Sequence, residues 1–119
     1  MTPRNLDCVL SSLEYHVLLA MASRPLYGYA IKGAVEAESG GTQSPGAGSL
    51  YRVLARLMAW GWVAETDAPE SSAPHPGLAR KYYRLTADGR KALAGEARRL
   101  RSVAALAARR LGAVEDDRP

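Results

Sequence analysis

The sequence is poor in cysteine: Cys8 is alone, so no intrachain disulfide bond can form. This favours a reducing, cytoplasmic setting, in which we interpret Cys8 as an incidental free thiol rather than a redox sensor. No run of about 18 apolar residues is present, which argues against a transmembrane helix. The first residues lack the apolar core and the small-residue cleavage site of a signal peptide, so we expect no secretion signal.

Histidine is also scarce, since only His16 and His75 are present and both lie far from Cys8 in the sequence. These residues do not have the spacing of metal ligands, and we expect neither a metal nor a cofactor. The chain shows no set of nucleophile, base and carboxylate, and no paired catalytic carboxylates. The stretch Gly46-Ala47-Gly48 lacks the preceding strand of a phosphate-binding loop. We therefore expect a protein that is not an enzyme.

Phenylalanine is absent, so tyrosine and tryptophan supply all the aromatic packing of this 119-residue chain. Its length and its hydrophobic content of 47% suffice for the core of one domain. The formal charge of +4 arises from 16 basic and 12 acidic residues. Such a modest excess is compatible with a nucleic-acid partner without requiring one.

Periodicity and capping signals predict four helices and two strands, in the order helix, helix, helix, strand, strand, helix. Ser11 and Glu14 have the spacing of a capping box, and Thr86 is the expected cap of the last helix. Ser44, which precedes Pro45, is a candidate cap for the third helix. The predicted helices cover 12–23, 26–38, the segment between Gly46 and Gly61, and 87–111, and the predicted strands cover 62–66 and 80–85.

Three helices followed by a hairpin predict a mainly α fold, a winged helix-turn-helix with a two-stranded wing. Prolines, glycine and serines predict an irregular wing loop over 67–79. The second helix is expected to turn four residues to the core, namely Tyr29, Ala30, Ala34 and Ala37. We divide the chain into a flexible N-terminal arm over 1–10, a winged domain over 11–86, a dimerisation helix over 87–112 and a disordered tail over 113–119.

The third predicted helix separates apolar from polar side chains. Its expected core face carries Leu50, Leu54, Leu57 and Met58. Ser49, Arg52 and Arg56 fall on the other side, and Tyr51 lies at the edge. A helix of this polarity can enter the major groove of DNA, where arginine reads guanine or binds phosphate. A solvated helix face is the alternative interpretation of the two arginines.

Three motifs follow one another along residues 10–111. They are Leu26-Tyr27-Gly28-Tyr29, then Gly46-Ala47-Gly48-Ser49-Leu50-Tyr51 with Leu54, Leu57 and Gly61, then Arg80-Lys81-Tyr82-Tyr83-Arg84-Leu85-Thr86 with Gly89-Arg90. Together they resemble the PadR family of bacterial transcriptional regulators, and the single C-terminal helix resembles its short subfamily. The resemblance implies a dimeric repressor that binds a near-palindromic operator and is released by a small aromatic or drug-like effector.

The resemblance also implies DNA contacts at the positions that match the family motifs, which are Tyr27, Ser49, Tyr51, Arg80 and Lys81. Other roles are open for three of them. Tyr27 can be a residue at the edge of the core, Tyr51 can pack against the second helix, and Ser49 can be a simple capping residue. Lys32 on the second helix is a further candidate for a phosphate contact.

The wing carries basic residues of its own. Alternation along the last strand places Tyr83 and Leu85 on the core side and leaves Arg80 and Arg84 free to bind phosphate. The wing tip over 71–76 is less basic than wings that insert deeply into the minor groove. This composition argues against a deep minor-groove contact there.

The last helix carries an apolar seam that steps by 4, 3, 4, 3 and 4 residues, a spacing typical of a coiled coil. The seam comprises Leu93, Ala97, Leu100, Ala104, Ala107 and Leu111. A helix of this length cannot pack entirely on so small a domain, so we predict a dimerisation arm, with packing inside one chain as the alternative. In such a dimer, two copies of the third helix about 34 Å apart would read the two halves of a pseudo-palindrome.

For the short subfamily, the resemblance implies an effector cavity between the dimer arms and the first helix. Its expected lining is Leu13, Val17, Leu93, Ala97 and Leu100. A dry dimer core would use the same residues. The sequence thus favours a dimeric, sequence-specific DNA-binding regulator that has no membrane partner. A winged-helix module that binds a protein is the alternative function.

Overall fold

The computed structural model describes residues 10–69 and 81–112. These ranges do not include Cys8, His75 and Arg80, the arm before residue 10 or the tail after residue 112. They also leave out the predicted wing loop from residue 70 onward, with its tip over 71–76, so the expectations for all of these lie outside them. Within them, the elements are α1 (Ser12–Ala20), β1 (Leu26–Tyr27), α2 (Gly28–Glu38), α3 (Ala47–Ala59), β2 (Val63–Thr66), β3 (Tyr82–Leu85) and α4 (Ala87–Arg110). None of these helices is both long and apolar enough to cross a membrane.

Helix α1 begins with the capping box that the sequence predicts. The Ser11 hydroxyl accepts a hydrogen bond from the Glu14 amide at 3.1 Å, and the Glu14 carboxylate accepts one from the Ser11 amide at 2.9 Å. The helix ends at Ala20, earlier than predicted. Its last turn tightens, because the amides of Met21 and Ala22 bond to carbonyls three residues back. The chain therefore leaves the helix three residues before the predicted end at residue 23.

The sheet has three strands rather than the predicted two. Residues Leu26–Tyr27, expected in the first turn of the second helix, form β1 and pair antiparallel with β3, which gives the strand order β1-β3-β2. A two-residue strand has no alternation of its own, so only its partner defines it. The Tyr27 ring packs edge-on against Tyr82 at a centroid distance of 5.5 Å. Tyr82 is consequently buried together with Tyr83 and Leu85, although alternation placed it on the opposite side.

Helix α2 turns a different face to the core than the sequence predicts. Ile31 and Val35 are fully buried, whereas Tyr29 is 76% exposed. Branched side chains remove more apolar surface from water than alanines do, so this pair, one turn apart, sets the inward face. Among the four residues expected to face inward, Ala30 and Ala34 are partly buried. The other two, Tyr29 and Ala37, are exposed.

Helix α3 begins at Ala47 after Gly46, which caps it without a side-chain hydrogen bond. Ser44 is not the cap that the sequence predicts, because its hydroxyl donates to Glu36 of α2 at 2.8 Å. The predicted core face is confirmed by the buried Leu50, Leu54 and Leu57 and the partly buried Met58. The opposite face of α3 is left to solvent.

Thr86 joins the start of α4 to the wing. Its hydroxyl accepts a hydrogen bond from the Gly89 amide at 3.0 Å, as predicted for the cap, and donates one to the Gly61 carbonyl at 2.7 Å. Its amide donates to the Trp62 carbonyl at 3.0 Å. Gly61 has a positive φ of 81°, which favours glycine in the turn between α3 and β2. This turn is thereby tied to the start of α4.

Thr86→Ala is expected to lower the free energy of unfolding by about 1–2 kcal/mol, because the variant cannot form either hydrogen bond of the hydroxyl. Urea denaturation followed by circular dichroism measures the change. Thr86→Ser keeps the hydroxyl and is the control, with a smaller loss expected. An unchanged midpoint for Thr86→Ala would show that the cap does not stabilise the fold.

The helices pack around one core, with α1 in contact with α2, α3 and α4. Val17 and Leu18 of α1 are fully buried at its centre. Helices α2 and α3 form the helix-turn-helix pair, and β2 and β3 are the strands of the wing. The predicted winged helix-turn-helix with a long C-terminal helix is confirmed, and it places the outer face of α3 on the surface.

Candidate nucleic-acid interface

The outer face of α3 brings Ser49 and Arg52 together near the start of the helix. Arg52 is exposed, and its Nη2 donates to the Ser49 hydroxyl at 3.3 Å. A guanidinium has five N–H donors, so this bond leaves most of them for another partner. Both residues lie where the sequence predicts, opposite the buried Leu50 and Leu54.

Arg56, which was expected to share this face with Arg52, is held against α1. Its Nε donates to Glu14 Oε2 at 3.1 Å, and the Glu14 side chain is only 6% exposed while that of Arg56 is 43% exposed. The guanidinium carbon also lies 5.9 Å from the ring centroid of Trp60, within the range of a cation–π contact. The periodicity of α3 could not reveal this pair, because Glu14 lies 42 residues away in the sequence.

An open pocket of about 400 Å³ lies at the start of α2, and it is lined by Tyr27, Gly28, Tyr29, Tyr51 and Lys81. A Cβ atom at Gly28 would collide with the Tyr51 hydroxyl, so glycine allows Tyr51 of α3 to approach α2 this closely. The pocket brings together three of the predicted DNA contacts, Tyr27, Tyr51 and Lys81. Tyr29 joins them, although the sequence placed it in the core.

Tyr51 shows features of both roles that the sequence left open. It is 49% exposed, yet it packs against Gly28 of α2. Burial raises the pKa of the nearby Tyr83 hydroxyl, and the neighbouring Tyr51 and Glu65 raise it further. Tyr83 therefore stays protonated at neutral pH and adds no negative charge to this surface.

The two lysines predicted to contact DNA both lie beside carboxylates. Lys32 Nζ donates to Glu36 Oε2 at 2.9 Å, and the hydrogen bonds from Lys32 and Ser44 lower the pKa of the Glu36 carboxyl. Lys81 Nζ lies 3.7 Å from Glu65 Oε2, and both side chains are largely exposed. Because exposed ion pairs contribute little stability, a phosphate can displace the Glu65 carboxylate from Lys81 at a small cost.

The predicted seam of α4 is buried within the chain only at its start. Leu93 is buried and Ala97 is partly buried, whereas every residue over 98–112 is exposed. The exposed part of the seam comprises Leu100, Ala104, Ala107 and Leu111. Two further apolar residues, Val103 and Leu106, are exposed on α4, although the predicted seam does not include them. Where the packed part of α4 meets its exposed part, Arg99 donates hydrogen bonds to both oxygens of the buried Glu96, at 3.0 and 2.7 Å. These hydrogen bonds raise the pKa of Arg99.

The residues expected to line an effector pocket are spread over different environments. Val17 and Leu93 pack into the core of their own chain, Leu13 and Ala97 are partly buried, and Leu100 is 39% exposed. A cavity lined by all five would need a second chain to close it. Among residues 10–69 and 81–112, no group of His, Cys, Asp or Glu side chains could hold a metal ion.

A model of the transcriptional regulator PadR-like family matches residues 17–95. This range runs from α1 into α4, so it includes the outer face of α3 and the pocket at the start of α2. The family consists of regulators rather than enzymes, as the sequence predicted. Among curated proteins, none matches this sequence significantly.

Solved structures share the fold. A PadR family transcription regulator from Clostridium difficile R20291 has a TM-score of 0.68 and 22% identity, and the match covers 86% of this chain and 100% of that one. A PadR family regulator from Eggerthella lenta DSM 2243 has a TM-score of 0.63 and 27% identity, over 86% of this chain and 83% of that one. Bacillus subtilis PadR in complex with operator DNA has a TM-score of 0.56 and 25% identity, over 70% of this chain and 45% of that one.

Proposed function

Because this chain belongs to the transcriptional regulator PadR-like family, we propose that it acts as a dimer that binds a pseudo-palindromic DNA operator. Helix α3 enters the major groove, where Ser49 and Arg52 contact bases or phosphates. Tyr27, Tyr51 and Lys81 bind the DNA backbone beside the groove. A module that binds a protein without reading DNA is the competing function.

The observation that carries this proposal is the polarity of α3 in the folded chain. Its leucines are buried, and Arg52 on the other side is exposed. Within the described residues, Arg52 forms its hydrogen bond with a neutral hydroxyl and no ion pair with a carboxylate. An exposed arginine on the outer face of α3, with donors left over, has the chemistry that binds guanine or phosphate.

The pocket at the start of α2 supports a contact with the DNA backbone. In helix-turn-helix proteins the first helix of the pair crosses the backbone while the second lies in the groove. The tyrosine hydroxyls and the lysine ammonium around the pocket are donors suited to phosphate oxygens. The likeness to Bacillus subtilis PadR, which was solved in complex with operator DNA, supports DNA as the partner. Arg80, which precedes Lys81, is proposed as a further phosphate contact.

The exposed part of α4 supports a dimer. A single chain leaves Leu100, Val103, Leu106 and Leu111 in water, and packing against a second copy would bury them. Two chains joined in this way place two α3 helices on one duplex. A spacing of about 34 Å between these helices would match one turn of DNA and would double the number of bases read.

We propose further that DNA binding represses transcription and that a small aromatic or drug-like compound releases the protein. A second chain packed along α4 would bring its own apolar residues to Leu13, Ala97 and Leu100, the part of the predicted lining that a single chain leaves at least partly exposed. A compound that enters there would alter the spacing of the two α3 helices.

Arg52→Ala is expected to weaken binding to the operator by about 1–3 kcal/mol, because the variant lacks a guanidinium that reads a base or binds phosphate. Fluorescence anisotropy measures the change, with a labelled duplex from the region upstream of the chain's own gene and a shuffled duplex of equal composition. Arg98→Ala removes the same charge from the exposed part of α4 and is the control. We expect it to change affinity about twofold at most, because salt screens distant charges.

Two results would contradict the proposal. Equal affinity of the wild-type chain for the two duplexes at about 150 mM salt would exclude sequence-specific binding and favour the protein-interaction module. A wild-type preference that Arg52→Ala leaves unchanged would exclude Arg52 from the contact surface of α3.

A further inference from the structure

The ion pair between Glu14 and Arg56 joins the start of α1 to the second half of α3. Each oxygen of the Glu14 carboxylate has its own donor. The Ser11 amide donates to Oε1 at 2.9 Å and Arg56 Nε donates to Oε2 at 3.1 Å. The pair thus connects the capping box of α1 to α3, the helix proposed to enter the DNA groove.

Burial makes this pair costly to break. The Glu14 side chain is 6% exposed, and a carboxylate so far removed from water needs charged or hydrogen-bonded partners. Removing the arginine would leave a buried charge with less compensation, which is strongly unfavourable. The pair therefore favours one position of α3 relative to α1.

Trp60 also lies against the Arg56 guanidinium. Its ring centroid lies 5.9 Å from the guanidinium carbon, and its ring packs edge-on against Trp62 at 5.2 Å. Trp60 is the C-cap of α3, and Trp62 directly precedes β2. Arg56 consequently lies at the junction of α1, the end of α3 and the start of the wing.

We infer that Arg56 is a positioning residue, which through Glu14 holds α3 at the angle that DNA binding requires, and that Arg52 rather than Arg56 supplies the DNA-contacting charge of α3. This inference rests on the proposed function. It separates two arginines that the spacing of α3 treats as equivalent. In the DNA complex the Glu14–Arg56 pair stays formed.

The opposite assignment, in which Arg56 contacts DNA, predicts an effect of the opposite sign for Glu14→Gln. If Glu14 merely competed with DNA for Arg56, its neutralisation would free a cation and remove a negative charge, so affinity would rise. If the pair positions α3, neutralisation weakens the connection and affinity falls. Glutamine is also accepted at the third position of a capping box, so the start of α1 is retained.

The experiment compares Glu14→Gln with Glu38→Gln in anisotropy titrations on the upstream and shuffled duplexes. The control variant makes the same charge change at an exposed position at the end of α2. We expect Glu14→Gln to weaken operator binding roughly tenfold, since coupled contacts typically have effects of this size. We expect Glu38→Gln to change binding about twofold at most, because salt screens distant charges. Circular dichroism at the assay temperature confirms that each variant is folded.

The salt dependence of binding distinguishes positioning from contact. Arg52→Ala is expected to reduce the slope of log K against log salt by about 0.9, because the variant neutralises one DNA phosphate fewer. Arg56→Gln, which keeps a hydrogen-bond donor for Glu14, is expected to weaken binding without changing that slope. A residue that only stabilises the fold would change the melting temperature and leave the affinity of the folded protein unchanged.

Three results would overturn the inference. These are tighter binding by Glu14→Gln, a slope reduced by about one in Arg56→Gln, and unchanged affinity in both folded variants. A wild-type chain without preference for the upstream duplex would instead contradict the proposed function, and it would remove the inference with it. The wild-type titration therefore distinguishes the two failures.

Discussion

Gly89→Ala is expected to lower the free energy of unfolding by about 2–3 kcal/mol, the size of effect that overpacking produces. A Cβ atom at this position would collide with the Trp62 carbonyl oxygen and would lie 2.9 Å from Leu85 Cδ1. The Trp62 carbonyl oxygen accepts a hydrogen bond from the Thr86 amide, so this oxygen cannot move without loosening the start of α4. The collision therefore forces the wing away from α4. Urea denaturation followed by circular dichroism measures the loss.

Gly95→Ala is the matched control, because it makes the same change in the same helix. At Gly95 the nearest atom to a new Cβ is Arg98 Nη2, at 3.9 Å. With room for the methyl group, alanine is expected to stabilise the helix by about 0.5–1 kcal/mol. The two substitutions should thus have opposite signs. A Gly89→Ala variant as stable as the wild type would contradict the close packing of α4 on the wing.

Leu100→Glu is expected to convert the proposed dimer into monomers and to reduce operator affinity by two or more orders of magnitude, that is by at least about 2.8 kcal/mol. Leu100 is the first exposed leucine of the predicted seam. In a dimer each glutamate would be buried near its counterpart, and an unpaired buried charge is strongly unfavourable. Light scattering during size-exclusion chromatography measures the mass, and anisotropy measures the affinity.

Ala105→Glu controls for the added charge. Ala105 is exposed on α4 five residues beyond Leu100, so it lies about 140° around the helix axis, on the side opposite the exposed apolar residues. We expect this variant to remain dimeric and to bind the operator with an affinity close to that of the wild type. If Leu100→Glu kept the mass of a dimer, the exposed part of α4 would not be the interface.

Local signals in the sequence were sufficient to predict the helices and the outer face of α3. Ser11 with Glu14 and Thr86 identified two helix starts, because capping chemistry involves residues only a few positions apart. The spacing of the leucines in α3 identified its buried side for the same reason. Ser49 and Arg52 followed as the polar residues on the opposite side.

Contacts between distant segments could not be predicted in this way. Strand β1 depends on the pairing of Tyr27 with Tyr82, which no local pattern records. Tyr29 is exposed because the buried Ile31 and Val35 set the inward face of α2, which the spacing of its small residues did not reveal. The partner of Arg56 lies on another helix, so the periodicity of α3 alone made Arg56 equivalent to Arg52.

We propose that two copies of this chain read one duplex through α3, and selection of bound sequences from a pool of random duplexes measures whether they do. We predict enrichment of an inverted repeat whose half-sites are centred about 10–10.5 base pairs apart, or a multiple of that distance. Selection with Arg52→Ala in parallel should lose preference at the same position in both half-sites. A wild-type selection that enriches no sequence, or only an unrepeated half-site, would contradict the claim.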